Sequence, residues 1–247
     1  MNKPRSPATL AEAMGLLERA LSLDPGSVEA KSLLVMVLFS RVVDFGSSSE
    51  GADVSRAEEL AAEAVAEAPR SPVAHLAKGE ALRLRRRCAE AIPEYETVLA
   101  MNRNWVSAMA TIGRCKILRG AMEDGIAALQ QAIRLSPRDP FLWSWYFRIG
   151  EGHLLQSHLA DGIGWLEKAR NANPAPPYIH AYLAAAYALS GDTERATAEL
   201  LGARQLGGTY SSIARLRART RYETQTAREL CEATFYAGLS KAGMPEE

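Results

Sequence analysis

The stretch Ala-Thr-Ala-Glu-Leu-Leu-Gly-Ala at residues 196–203 decides the fold of this chain, because its spacing of small and large residues is repeated along the sequence. The repeated positions are Ala196, Leu200 and Ala203, followed by a stop at Gly208. The upstream copies are Gly162, Leu166, Ala169, Pro174; Gly125, Leu129, Ala132, Pro137; Ala91, Tyr95, Val98, Arg103; Ala57, Ala61, Ala64, Pro69; and Ala13, Leu17, Ala20, Pro25. A period of about 34 residues is typical of stacked helical hairpins, each too small to bury its own apolar face.

These copies divide the chain into helical units: a half unit at 8–25 and full units at 28–69, 72–103, 106–137, 143–174 and 177–208. Unit 28–69 contains an insertion, for which we expect a loop over 44–51 and a capping box at Ser55 and Glu58 that restarts the helix. The first helix of a unit should carry a small residue where it touches the second, because a large one would push the helices apart. The residues at that position are Gly79, Gly113, Gly150 and Ala184.

Composition limits the possible functions. The 29 basic residues balance the 29 acidic ones, which argues against a general binder of nucleic acid or anionic membranes. The three cysteines form no C-x-x-C pattern and indicate reduced, buried thiols. Residues 1–5 lack a secretory signal, and the longest apolar run, 33–39, is far shorter than the roughly 20 residues of a membrane span. We therefore expect a soluble, cytoplasmic protein.

Residues 209–247 depart from the repeat. The pattern predicts a short helix over 211–219 and a longer one over 226–241, with an apolar side formed by Leu230, Ala233, Thr234, Ala237 and Leu239. A stack of hairpins needs a terminal element that covers its last apolar face, so a capping helix is one interpretation. The other is a helix that folds into a binding groove and competes with a partner.

The repeat resembles the tetratricopeptide repeat over residues 8–208. The resemblance implies an all-α superhelical solenoid of antiparallel helix pairs with a C-terminal capping helix. It also implies a non-catalytic protein-interaction module that binds a peptide or a partner helix in its concave groove. The groove-facing positions that it assigns are Glu80, Arg83, Arg114, Arg148, Glu151, Tyr178 and Tyr182.

Several further stretches, at 103–104, 135–140, 165–170, 185–192 and above all 232–245, resemble the C-terminal repeat region of bacterial, especially rhizobial, adenylate/guanylate cyclase-like proteins. This resemblance implies a regulatory or partner-binding tail, to which no cyclase residue carries over. Because the first unit lacks its first helix, we expect a piece cut from a longer protein, with an unusual cap as the alternative.

Catalytic signatures are absent from the sequence: it contains no phosphate-binding loop, no G-x-S-x-G and no H-E-x-x-H. We therefore expect neither an enzyme nor a cofactor or metal site. His75 and His180 occupy large positions of first helices and are interpreted as packed side chains rather than ligands. Trp143 and Trp145 favour packing between units, with a partner or homodimer contact as the alternative.

The groove positions carry a mixed chemistry. Arginine holds carboxylates in bidentate fashion, so an acidic or C-terminal peptide group near Arg114 and Arg148 is the expected ligand. The alternative is that these charges pair with each other and bind nothing. The lysine and asparagine clamp of chaperone-tail binders is missing, since the matching pairs are Leu76 with Glu80 and Ala110 with Arg114. A second hypothesis is a small-molecule sensor or stand-alone enzyme with an aromatic–arginine pocket.

Overall fold

The computed structural model describes residues 6–247, apart from the side chains at positions 44, 45, 208 and 209. The N-terminal residues 1–5, in which no secretory signal was recognised, lie outside the described residues. Every regular element in the described range is helical, which confirms the all-α prediction. The chain divides into two compact parts, each larger than one helical repeat. The first unit ends at Ala108 and the second unit begins at Met109. Within the described part of the chain, every helix is too short or too polar to cross a membrane.

The first unit contains five helices and the beginning of a sixth. They are α1 (Pro7–Leu23), α2 (Val28–Phe45), α3 (Glu50–Glu67), α4 (Pro72–Leu84) and α5 (Cys88–Met101). Helix α4 begins as the sequence predicts, because the Ser71 side chain accepts a hydrogen bond from the Ala74 amide and Pro72 occupies the first turn. The predicted capping box at Ser55 is wrong. Helix α3 already begins at Glu50, so Ser55 lies inside it.

Helix α6 (Val106–Leu118) spans the boundary at Met109, and the second unit continues with five further helices before its C-terminal part. They are α7 (Met122–Leu135), α8 (Leu142–Leu155), α9 (Leu159–Ala172), α10 (Pro177–Ser190) and α11 (Thr193–Leu206). The small–large–small residues of α11 are buried: Ala196 and Ala203 have no exposed surface and Leu200 is 3% exposed. These residues form the core side of the helix, as the repeat predicts.

The small residues of the first helices allow close helix contacts, which confirms that prediction. A Cβ atom on Gly79 of α4 would lie 2.6 Å from the ring of Tyr95 on α5. On Gly113 of α6 it would lie 2.8 Å from the carbonyl oxygen of Gly125 on α7. Both distances are shorter than a carbon atom tolerates, so only glycine permits these helices to pack as they do.

Two histidines make the same contacts in different helix pairs. Nε2 of His75 lies 3.0 Å from the carbonyl oxygen of Pro69, and its Nδ1 lies 2.6 Å from a carboxylate oxygen of Glu94. Nε2 of His180 lies 2.9 Å from the carbonyl oxygen of Pro174, and its Nδ1 lies 2.6 Å from Glu199. Each ring connects three stretches of chain: the preceding joint, the first helix and the second helix.

The C-terminal part of the second unit forms a separate helical segment. After a 3₁₀ turn (Gly208–Ser211) come α12 (Ile213–Ala218) and α13 (Gln225–Cys231), which continues through a π-helical turn (Glu232–Tyr236) into α14 (Ala237–Lys241). Helix α14 and the π turn pack on α10, and the π turn also contacts α8. The segment therefore covers the first helices of the last two pairs.

Candidate protein-interaction site

Two of the sequence-predicted groove residues, Glu80 and Arg83, form a buried network on α4. Glu80 accepts a hydrogen bond from Arg83 at 2.5 Å and one from the Tyr95 hydroxyl at 3.0 Å. The Arg83 guanidinium carbon also lies 4.7 Å from the centre of the Phe39 ring on α2. Glu80 and Arg83 are 4% and 9% exposed. They join α4 to α5 and α2 inside the first unit.

The second unit contains a larger buried network, centred on Glu151 of α8. This carboxylate is 2% exposed. One of its oxygens accepts a hydrogen bond from Arg148 at 2.6 Å, and the other lies 3.1 Å from the Tyr182 hydroxyl and 2.7 Å from the Tyr222 hydroxyl. The two hydroxyl oxygens are themselves 2.8 Å apart. Each hydroxyl has one proton, so at most two of these three oxygen–oxygen contacts hold a proton at any moment.

Burial controls the ionisation of the groups around Glu151. It raises the pKa of Tyr182 and of Tyr222 well above the ordinary tyrosine value, and the negative charge of Glu151 adds to both shifts. Burial raises the pKa of the Cys231 thiol, and the negative charge of Glu151 adds to this shift. The tyrosines therefore remain protonated donors at neutral pH, and the thiol is not an activated nucleophile.

An aromatic row lies beside this network. The ring of Tyr182 stacks on Phe235 of the π turn, and its other neighbour is Phe147 of α8, in an edge-on contact at 5.0 Å. Phe147 in turn lies 4.7 Å from Tyr178, and Tyr178 lies 6.5 Å from Trp143. We call the surface formed by Arg148, Glu151, Tyr178 and Tyr182 the first-helix face of the second unit. Its rings and its carboxylate contact Phe235 and Tyr222 of the C-terminal part of the chain.

The C-terminal segment makes close backbone contact with this face. A Cβ atom on Gly238 of α14 would lie 2.6 Å from the carbonyl oxygen of Ala185 on α10, so the two helix backbones touch. At the other end of the segment, the Glu223 amide donates a hydrogen bond of 2.9 Å to the carbonyl of Leu118, the last residue of α6. The segment therefore extends from the end of α6 across α8 to α10.

The remaining predicted residues lie in varied surroundings. Arg114 is half-buried on α6, and Tyr178 and Trp143 are half-buried beside each other. Trp145, proposed for an interface, is 7% exposed and packs within the chain. The structure therefore brings Arg148, Glu151, Tyr178 and Tyr182 together in the second unit, and it brings Glu80 and Arg83 together in the first.

Sequence reasoning missed the residues of the C-terminal segment that complete the site. The predicted apolar side of this segment is wrong at Ala233 and Ala237, which are exposed. The buried side is formed by Ala227, Cys231, Phe235 and Leu239. A pattern weighted for the large Phe235 ring would have found it, because aromatic side chains bury the most area.

No group of three histidine, cysteine, aspartate or glutamate side chains capable of holding a metal ion occurs among residues 6–247 with described side chains. The three cysteines are buried thiols. The polar groups of the first-helix face bond to one another and to the C-terminal segment.

Comparison with protein families and with curated proteins finds no match. Among solved structures the chain is similar to PilF of Pseudomonas aeruginosa (TM-score 0.61, 16% identity, 87% of each chain). It is similar to Cut9 in the APC/C hetero-tetramer Cut9–Hcn1 (TM-score 0.65, 16% identity, 94% of this chain and 42% of the other). A tetratricopeptide repeat protein from Parabacteroides merdae is also similar (TM-score 0.61, 16% identity, 91% and 77%). The chain therefore has the fold of the tetratricopeptide repeat proteins.

Proposed function

We propose that this chain is a non-catalytic protein-interaction module that binds a polypeptide partner on the first helices of its pairs. The observation that carries the proposal is the C-terminal segment itself. It lies on α8 and α10 with Phe235 stacked on Tyr182 and with the Tyr222 hydroxyl bonded to Glu151. The same surface can hold a segment of another protein through the same contacts.

Two further observations support this function. The structurally similar Cut9 occurs in a hetero-tetramer with Hcn1, so the fold is used to hold another protein. In addition, the aromatic and arginine side chains near α8 and α10 lie beside a helical segment of the chain that packs on these two helices. This favours polypeptide binding over the alternative of a small-molecule sensor or stand-alone enzyme.

The geometry also favours one kind of partner. Arg148, expected to hold an acidic peptide group, donates to Glu151 on its own helix at 2.6 Å. Its charge is therefore already compensated, and the rings of Tyr178 and Tyr182 offer the larger contact. We propose a partner whose main anchor is aromatic, since aromatic side chains dominate the energetics of protein interfaces.

Affinity capture from the source cells, followed by purification of the captured protein and measurement of its dissociation constant, tests the function. The double variant Arg114→Ala, Arg148→Ala and the single variant Tyr178→Ala should bind the captured protein more weakly than the wild type. The matched control is Arg134→Ala, Arg138→Ala, which removes two exposed charges at the end of α7 and after it. Equal binding by all variants would show that the partner does not use the first helices.

The setting of the module is a second proposal. The resemblance of residues 232–245 to the C-terminal region of bacterial cyclase-like proteins supports a regulatory role in a signalling protein. Reading the coding region directly upstream of the first codon tests it. An upstream cyclase or DNA-binding domain is expected, and an unrelated upstream gene would contradict this setting.

A further inference from the structure

The C-terminal segment lies where the proposed partner of the second unit would bind. We define the tail segment as residues 213–244. It contributes the ring that stacks on Tyr182, the hydroxyl that bonds to Glu151 and the glycine that touches Ala185. With the tail segment in place, Tyr182 is 8% exposed and Glu151 is 2% exposed, so neither is available to a second polypeptide.

We propose that the tail segment is an internal competitor for the first-helix face of the second unit, and that a partner must displace it. This inference rests on the proposed function and names the partner's chemistry. The partner contains an amphipathic helix that offers an aromatic ring to Tyr182 and a glycine to Ala185, and the irregular stretch before this helix offers a hydrogen-bond donor to Glu151. These are the three groups that the tail segment supplies from Phe235, Tyr222 and Gly238.

The charged groups Glu151 and Arg217 keep partners after separation. On the face, Glu151 retains the hydrogen bonds from Arg148 and Tyr182 and loses only the one from Tyr222. On the tail segment, Arg217 is bonded to Glu232 at 2.8 Å and also pairs with Glu246, both outside the face. Because a buried charge without a partner is strongly unfavourable, these retained pairs remove one barrier to release.

The tail segment also contains an irregular helical turn where it docks. Its longest helix is interrupted by the π turn Glu232–Tyr236, a conformation that is rare and occurs mostly at functional sites. The Thr234 hydroxyl donates to the Leu230 carbonyl at 2.6 Å and so satisfies a backbone acceptor near that turn. Release removes the packing around this turn, so we expect the stretch to form a regular α-helix when it is free.

Competition of this kind lowers the apparent affinity of a partner in a calculable way. The apparent dissociation constant equals the intrinsic one divided by the fraction of molecules with an open face, so 1% open molecules weaken binding about 100-fold. A variant with a permanently open face should therefore bind the same helix much more tightly than the wild type does.

The test uses the full chain and a fluorescently labelled synthetic peptide of residues 213–244 as the probe. The variant Gly238→Leu forces a side chain against the Ala185 backbone and should release the tail segment. We expect the wild-type peptide to bind this variant at least about tenfold more tightly than it binds the wild-type chain. The peptide that itself carries Gly238→Leu should bind neither chain. The matched control is Ala237→Leu, which adds the same side chain at the neighbouring exposed position and should behave as wild type.

Hydrogen exchange of residues 213–244 shows whether each variant has released its tail segment. If Gly238→Leu does not fold, Phe235→Ala replaces it, because that substitution removes the stacked ring without adding volume. A released, folded variant that fails to bind the peptide would overturn the inference. Equal affinity of the wild-type chain and the variant for the peptide would also overturn it. A dimer in which two wild-type copies exchange their tail segments would overturn it as well. If the peptide binds the released variant but no cellular protein competes with it for the first-helix face, the proposed function would instead be contradicted.

Discussion

The ring of Phe235 lies nearly flat on the ring of Tyr182, with 3.9 Å between the ring centres and 19° between the ring planes. The contact joins the π turn to α10 and is buried on both sides, since Phe235 is 5% exposed. It brings together two residues that are far apart in sequence and belong to different kinds of structure, a repeat helix and a segment outside the repeat.

Removal of this ring should destabilise the second unit. We expect Phe235→Ala to lower the free energy of unfolding by about 3–5 kcal/mol, the usual effect of deleting a buried phenylalanine. Urea unfolding of the full chain measures it. Phe141→Ala is the matched control, because Phe141 is 42% exposed and its removal should cost much less. Equal effects of the two substitutions would show that the Phe235 ring is not packed.

The Tyr222 hydroxyl should contribute to stability through Glu151. Tyr222→Phe keeps the ring and removes one donor to a buried carboxylate, so we expect a loss of about 1.5–3 kcal/mol, as for hydrogen bonds to charged groups. Tyr146→Phe is the control, because Tyr146 packs its ring against Trp165 and phenylalanine keeps that ring. The hydrogen bond would be unimportant if both variants unfolded at the same urea concentration.

Replacement of glycine by alanine should lower stability at one position of the second unit and raise it at another. Gly113→Ala places a methyl group 2.8 Å from the Gly125 carbonyl oxygen and should destabilise the fold by about 1–3 kcal/mol. Gly164 of α9 has open space around it, so Gly164→Ala should stabilise the helix by about 0.5–1 kcal/mol. Thermal unfolding of the two variants is the measurement. A stabilising Gly113→Ala would contradict the close contact between α6 and α7.

Stability should fall at alkaline pH, and Tyr187 should contribute to this decline. Burial, followed by its hydrogen bond to Glu167, raises the pKa of Tyr187 to about 12. The unfolded value is about 10, so the stabilising contribution is complete below pH 10 and is lost as the pH rises towards 12. Urea unfolding at several pH values should show this decline, and Tyr187→Phe should weaken it. An identical pH dependence in the variant would exclude Tyr187 as the cause.

The helices could be predicted from the sequence because their signals are local. Ser71 and Pro72 mark the beginning of α4, and the buried Ala57, Ala61 and Ala64 mark one side of α3. Such signals depend on the helical period and on capping, which act over a few residues. The insertion after α2 was harder to interpret, since α3 begins at Glu50 without a side-chain cap at Ser49.

The buried networks could be predicted only in part. Tyr95 occupies the position that leucine takes in most other copies of the repeat, and a buried tyrosine hydroxyl needs a hydrogen-bond partner. That signal, combined with the space at Gly79, points to Glu80 as a buried acceptor. No comparable signal links Tyr222 to Glu151, which are 71 residues apart, because the tail segment lies outside the repeat and its position has no periodic pattern.

The two histidines give the repeat a transferable part. In both helix pairs the proline carbonyl lies six residues before the histidine and the glutamate lies 19 residues after it. Residues 69–101 and 174–206 are thus matching stretches, each containing a joint, a helix pair and the imidazole that connects them. A chimaera that exchanges one stretch for the other would therefore carry the joint, both helices and the connecting imidazole together.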